Sequence, residues 1–276
     1  MSGAAAVPRP ALAPVVLGTS GFSFKDWVGP FYPEGTPAGR MLELYAEHFG
    51  AVEVNATYYR IPPPRTMQSL ASRTPADFEF VVKAHQSMTH EKDAPDDATF
   101  GAFQDALAPI LAAGKFRGIL CQFPYAFRPD KAGRARLDLL HTRLSGLAPL
   151  FVEFRHAAWL DERVFRYLDE RGIGYCSVDE PPLPGLVPPV ARLTGSIAYV
   201  RMHGRNTKTW WGRDRGDRYD YDYSPAELHE WVQKIRALAE RSSKVYVFFN
   251  NCHAGQAARN ALLMKDLVQR ELSGAW

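Results

Sequence analysis

The strongest constraint on this chain is an alternation that repeats eight times. Short β-branched or aromatic runs are separated by longer segments of helical period. The strand candidates are VVLGTS (15–20), AVEVNATYY (51–59), FEFVVKAH (78–85), RGILCQF (117–123), LFVEFRH (150–156), GYCSVD (174–179), IAYVRMH (197–203) and KVYVFFNN (244–251). Helices are predicted over 38–50, 65–75, 99–115, 131–147, 161–172, 224–242 and 256–272. Asp161 before Glu162, and Ser224 before Pro225, are helix-start signals, because a short oxygen-bearing side chain can accept from the free N–H groups of the first turn. One connection breaks the pattern. The stretch EPPLPGLVPPVARLTGS (180–196) carries too many residues without an N–H to propagate a helix, and it reads as an extended loop.

Eight strands with helical crossovers in 276 residues suit an α/β chain folded as a single TIM-type (β/α)8 barrel over residues 15–276, with the helix after strand six replaced by a Pro-rich loop. A doubly wound open sheet is the alternative. Its dinucleotide-binding form is weakened by LGTSGFSFKDW after the first strand, which lacks G-x-G-x-x-G. Residues 1–13 are alanine-rich but broken by Pro8 and Pro10, which spoils a targeting helix, so they read as a flexible leader. The absence of about 18 uninterrupted apolar residues argues against a membrane partner. Three cysteines, Cys121, Cys176 and Cys252, form no C-x-x-C pair, which suggests neither a disulfide framework nor structural zinc and makes the cytoplasm the expected location. A net charge of +3 permits an anionic ligand and is too small to imply nucleic acid.

Side chains two apart on a strand share a face. That pairs Glu53 with Asn55, Lys83 with His85, Glu153 with Arg155, Ser177 with Asp179, and Arg201 with His203, while the fourth strand adds Gln122 and the eighth Asn250. The opposite parity is largely apolar, as in Val52 and Val54 or Val152 and Phe154. Pointing the polar parity inward would give a ring of ionisable groups toward the C-terminal mouth, where barrels of this kind place their chemistry. A structural salt-bridge network filling a wide barrel is the lesser alternative for the same ring. Its charges balance, with Glu53, Glu153 and Asp179 against Lys83, Arg155 and Arg201. Carboxylates already committed to cations make poor metal ligands, so no cofactor is expected, and a divalent metal on Glu53, Asp179, His85 and His203 is the lesser alternative.

The pieces GTSGFSFKDWVGPFYP, VEVNATYY, FVVKAH followed by MTH, LCQFP, VEFRHAAW, YVRMHGRN, RYDYDYS and FFNNCHAGQAARNA resemble, in order and spacing, the YecE-like proteins grouped as domain of unknown function 72. The first motif departs from the usual pattern by having Gly-Phe-Ser-Phe where a Trp and a Tyr are more common. The resemblance implies a TIM-type barrel related to the sugar isomerase and endonuclease-like barrels, with no established activity.

The segments after strands seven and eight carry the strongest binding signal, since backbone N–H groups at a helix N-terminus attract anions. Asn250, Asn251, His253 and Gly255 precede the last helix and either hold an anion or merely cap that helix. Arg201 and Arg205 lead into a long loop with Trp210, Trp211 and three tyrosines, which reads as a lid or recognition surface. The favoured function is an acid–base isomerase, lyase or hydrolase acting on a small anion such as a sugar phosphate or nucleotide. Glu53, Glu153 and Asp179 are its proton-transfer candidates, with Lys83 and His203 stabilising negative charge. Asn55, Tyr58, His85, Gln122, Arg155, Arg201, Arg205, Trp210, Asn250, Asn251, His253 and Gly255 are its ligand-binding candidates. A covalent role for Lys83 is a minor variant. A metal-dependent nucleic-acid enzyme and a non-catalytic ligand-binding or scaffold protein are the other classes.

Overall fold

A computed structural model describes residues 12–212 and 217–273. Its eight strands are β1 (Val15–Thr19), β2 (Ala51–Val54), β3 (Glu79–Lys83), β4 (Phe116–Gln122), β5 (Leu150–Glu153), β6 (Gly174–Asp179), β7 (Ile197–Met202) and β8 (Lys244–Phe249). Their order in the sheet is β1-β8-β7-β6-β5-β4-β3-β2, with every pairing parallel. The seam between β1 and β2 is bridged at Ser20 and Glu53. There the Tyr45 hydroxyl takes the place of a ladder bond: it accepts from the Thr19 N–H (2.9 Å) and donates to the Ala51 carbonyl (3.0 Å).

The helices are α1 (Met41–Ala46), α2 (Ala56–Tyr59), α3 (Pro64–Ser72), α4 (Gln86–Thr89), α5 (Asp97–Ala112), α6 (Lys131–Leu144), α7 (Glu162–Glu170), α8 (Pro225–Ala239) and α9 (Gln256–Ser273). Both start signals hold. Asp161 accepts from the Arg163 N–H, and Ser224 forms a reciprocal capping box with Glu227. The expected strand over 51–59 ends at Val54, and residues 56–59 turn instead into α2. No helix follows β6: the Pro-rich segment stays extended, anchored where Arg192 N–H donates to Ser177 Oγ and Tyr175 N–H to Thr194 Oγ1. Of the expected leader, residues 1–11 lie outside the described residues, and the Ala13 N–H donates to the Ala239 carbonyl.

Two apolar layers result. Val52, Val82, Val152, Val200 and Val247 face the helices, while Ala51, Val81, Leu120, Phe151, Cys176, Tyr199 and Phe248 fill the barrel interior. Phe151 occupies its centre because neighbours on both sides lack a side chain. A Cβ on Gly118 would sit 2.4 Å from the Phe151 ring, and one on Gly174 2.5 Å from it. A separate polar cluster plugs the N-terminal end, where Lys244 and the Tyr246 hydroxyl reach Glu79 at 2.5 and 2.6 Å and Arg117 reaches it at 3.1 Å.

Candidate functional site at the barrel mouth

Parallel register decides which side chains share the interior. Glu153 lies beside Gln122 and Arg201 beside Val178. The inward set of β6 is therefore Gly174, Cys176 and Val178, followed by Glu180 just beyond the strand. Ser177 and Asp179 point the other way, which corrects the expectation that they join the ring. Asp179 sits instead between the barrel and α8. Its carboxylate accepts from Arg205 Nε (2.9 Å) and Nη2 (2.8 Å), from the Tyr223 hydroxyl (2.7 Å) and from Trp231 Nε1 (2.7 Å). Arg205 continues to Glu230 at 2.7 Å, so it too belongs outside the barrel.

Within the barrel, Arg201 forks between two carboxylates: Nη2 donates to Glu53 (2.7 Å) and Nη1 to Glu153 (2.6 Å). The Tyr199 hydroxyl donates to the other Glu53 oxygen at 2.6 Å, and Ser20 Oγ accepts from Arg201 at 3.2 Å. Arg155 bridges onward. Its Nη1 donates to Glu180 (2.8 Å), while its Nε lies 2.6 Å from Glu153 Oε1, close enough for an ion pair but misaligned for a hydrogen bond. Glu180 Oε1 also accepts from the Val187 N–H at 3.0 Å, which ties the Pro-rich loop to the ring. Replacing Asp179 by Glu180 preserves the charge balance read from the sequence. Glu180 was not recognised there, because it opens a proline-rich run and looks like the first residue of a loop.

Burial would raise the Glu153 carboxyl, but Arg155, Arg201 and His203 outweigh it and hold the group well below the usual carboxylate range. Burial, with Arg155 adding to it, lowers His203 to about 3, so that imidazole is neutral near pH 7. Its Nδ1 accepts from Asn250 Nδ2 at 3.1 Å in an Nε2-protonated neutral ring, and its Nε2 lies 3.2 Å from Glu153 Oε1, near it but not aligned for a hydrogen bond. Burial lifts Glu180 to about 7 against the pull of Arg155. Glu53, Glu153 and His203 have no accessible surface. They support the groups above them and do not form the wall of an open site.

The open site lies over β2 to β5. A cleft of about 500 Å3 is lined by Tyr58 and Tyr59 of α2, Lys83 at the end of β3, His90 after α4, Gln122, Pro124 and Tyr125 at and beyond the end of β4, and Arg155 after β5. Leu186 and four residues of the long loop, Trp210, Trp211, Arg218 and Tyr219, complete it. Among the described residues, no carboxylate contributes to this lining. Trp210 is buried beneath two guanidinium groups, with Arg155 5.6 Å and Arg218 5.3 Å from its ring centre, whereas Trp211 is 55% exposed and meets Tyr125 edge-on. Lys83 Nζ donates to Gln122 Oε1 (2.8 Å) and stands 4.2 Å over the Tyr58 ring. Gln122 is oriented for this, since its Nε2 donates to the Phe123 carbonyl at 2.7 Å. Burial, reinforced by Arg201, lowers the Lys83 ammonium from 10.5 to about 7.

Of the binding candidates read from the sequence, Tyr58, Lys83, Gln122, Arg155 and Trp210 line the cleft, Trp211 and Tyr219 join it from the loop expected to act as a lid or recognition surface, and Tyr59, His90, Tyr125 and Arg218 are walls that the sequence did not single out. His85 lies outside the lining and caps α4 by accepting from the Ser87 N–H. Asn55 precedes α2 and is likewise absent from the lining. The segment before α9 also lies elsewhere. Asn251 is buried and donates to the Tyr221 carbonyl and to Asn260. His253 faces Asp220 at 3.1 Å, and the Ala254 N–H is taken by Asp26 at 2.6 Å. Gly255, at φ +73°, packs against Pro30. The anion site expected there is therefore filled by the chain's own carboxylates. The four side chains considered for a metal are dispersed as well, and the described residues contain no group of three or more His, Cys, Asp or Glu arranged to hold an ion.

Fold and site together define a (β/α)8 barrel with a cationic, aromatic-walled cleft at its C-terminal mouth. The family described as Protein of unknown function DUF72 matches residues 16–275, and the chain belongs to it. It is 33% identical to the UPF0759 protein YunF of Bacillus subtilis, over 94% of this chain and 96% of that one. The UPF0759 protein YecE of Escherichia coli K12 is 28% identical over 78% of this chain and 81% of its own. A crystal structure of a DUF72 family protein from Thermotoga maritima superposes with a TM-score of 0.85 at 38% identity, covering 93% of this chain and 99% of that one. Among the described residues, no helix is long and apolar enough to cross a membrane.

Proposed function

We propose that the cleft over β2 to β5 binds a small anion bearing a planar or ring portion and carries out acid–base chemistry on it. The observation that carries this reading is the lining itself: Lys83, Arg155 and Arg218 supply cationic groups, six aromatic side chains supply stacking faces, and among the described residues no carboxylate joins them in the wall, Glu153 and Glu180 meeting Arg155 from beneath. Guanidinium groups recognise phosphate or carboxylate oxygens by paired donors, and aromatic walls favour the flat face of a sugar or base. A sugar phosphate or nucleotide meets both requirements. Lys83 is the proton-transfer group, because an amine that titrates near neutrality both accepts and donates at pH 7. Glu53 and Glu153 act through Arg201 and Arg155, holding the latter at the cleft edge.

Calorimetric titration with inorganic phosphate, a hexose phosphate and a nucleoside monophosphate tests the reading. Binding should weaken at least tenfold in Arg218→Ala and depend on the phosphate group. Steeply salt-dependent binding of a single-stranded oligonucleotide, with no binding of the small anions, would replace it with the nucleic-acid reading. A scaffold role draws its support from the mutually paired arginines and glutamates beneath the cleft, and it predicts that no anion binds at all.

A further inference from the structure

We propose that Lys83 is a nucleophile that forms an imine with an aldehyde or ketone whose anionic group is held by Arg155 and Arg218. This deepens, and rests on, the anion-binding reading of the cleft. Three features of the geometry support it. The amine lies in the wall of an open cleft, not inside the sealed ring. Its hydrogen bond is to a neutral amide oxygen, that of Gln122, and its other neighbour is the Tyr58 ring. Gln122 cannot turn its amide around without losing the bond to the Phe123 carbonyl, so the amine is held in a fixed direction without being tied to a charge. Burial, then Arg201 and Arg155, oppose protonation of Lys83 while Glu153 and Glu53 favour it, and Arg155 and Arg218 flank the cleft at Trp210, where an anion would meet them. A lysine meant only to neutralise a carboxylate would have one as its hydrogen-bond partner; this one donates to a neutral amide.

The step balances without a further reactant. The Nζ lone pair attacks the carbonyl carbon, and the carbonyl π pair moves to oxygen, giving a carbinolamine. The oxygen then leaves as water with the two amine hydrogens, and a solvent proton on nitrogen completes the iminium ion. That cation withdraws electrons from the neighbouring carbon, which is what isomerisation, aldol cleavage or decarboxylation of a carbonyl compound requires.

Pyridoxal 5′-phosphate is a suitable probe, because it joins an aldehyde, a flat ring and a phosphate. The full chain is mixed with it at pH 7, reduced with sodium cyanoborohydride and mapped by peptide mass spectrometry, alongside pyridoxal without the phosphate. The expected result is at least tenfold more adduct on Lys83 than on any other lysine, suppressed several-fold by excess inorganic phosphate. Lys83→Arg, verified as folded by circular dichroism, should lose the adduct at that position; the phosphate competition in the unaltered protein gives an independent reading if that variant does not fold. Phosphate binding without preferential labelling of Lys83 overturns the imine and leaves the anion site standing. Preferential labelling that is equal with pyridoxal and insensitive to phosphate keeps the imine and overturns the anion site. Neither binding nor labelling overturns both.

Discussion

Changing Asp179 to asparagine tests whether this carboxylate belongs to the outer layer or to the site. Four donor atoms converge on it: Nε and Nη2 of Arg205, the Tyr223 hydroxyl and Trp231 Nε1. Asparagine keeps the shape but offers one acceptor oxygen, so its amide must face two of these donors. The less costly choice places Nδ2 toward the Tyr223 hydroxyl, which can rotate to accept, and gives up the bond from Arg205 Nε. Trp231 Nε1 can only donate and needs the remaining oxygen. Hydrogen bonds to charged groups contribute about 1.5–3 kcal/mol each, and removing one partner of a buried ion pair costs about 3–5 kcal/mol. Part of that is recovered because Arg205 keeps Glu230. A loss of about 3 kcal/mol is expected in urea unfolding, with the phosphate affinity of the cleft unchanged within twofold. Tyr223→Phe removes a single bond and should cost about 1 kcal/mol. An Asp179→Asn protein of unaltered stability that no longer binds phosphate would show that the carboxylate serves the site, and the assignment of its face would fall.

Lys83→Met should change the pH dependence of stability in a defined direction. The native amine titrates near 7 and the unfolded one near 10.5, so between these values the unfolded chain binds more protons and stability rises with pH. Across that window the term amounts to at most about 5 kcal/mol at ~1.36 per pH unit, less to the extent that water reaches the half-buried amine. The variant should lose this slope relative to the unaltered protein, gaining most below pH 7; parallel urea-midpoint profiles from pH 6 to 10 would refute it. Glu153→Gln leaves Arg155 and Arg201 under-compensated and should both destabilise by about 3–5 kcal/mol and weaken phosphate binding, because Arg155 loses the carboxylate that holds it at the cleft edge; a loss of stability at unchanged affinity, measured by unfolding and calorimetry together, would favour the scaffold role. Gly118→Ala pushes a methyl into Phe151 and should cost about 1–3 kcal/mol with the cleft intact, read as a lowered urea midpoint at unchanged affinity.

The amino-acid sequence by itself determined the barrel. Eight β-rich runs, helical periods between them and proline after the sixth are local properties, and local backbone preference combined with one buried face leaves few other ways to close such a chain. It also determined that the polar residues of β2, β3, β4, β5 and β7 share the interior, because alternation within one strand is legible without knowing its neighbours. Polarity misled on β6, where Asp179 looked like a ring member. Only pairing with β7 set Cys176 beside Tyr199 and Val178 beside Arg201, turning Asp179 toward Trp231 and Glu180 inward. The anion site moved for a related reason. Whether the Ala254 N–H and the His253 ring are free depends on Asp26 and Asp220, more than 200 and more than 30 residues away, and both are spent there. Likewise Arg201 is locked between Glu53 and Glu153, 148 and 48 residues away in the chain, while Lys83 meets the Gln122 amide instead. Long charged side chains choose partners across the barrel by reach and register, and that choice exists only once the strands are in place.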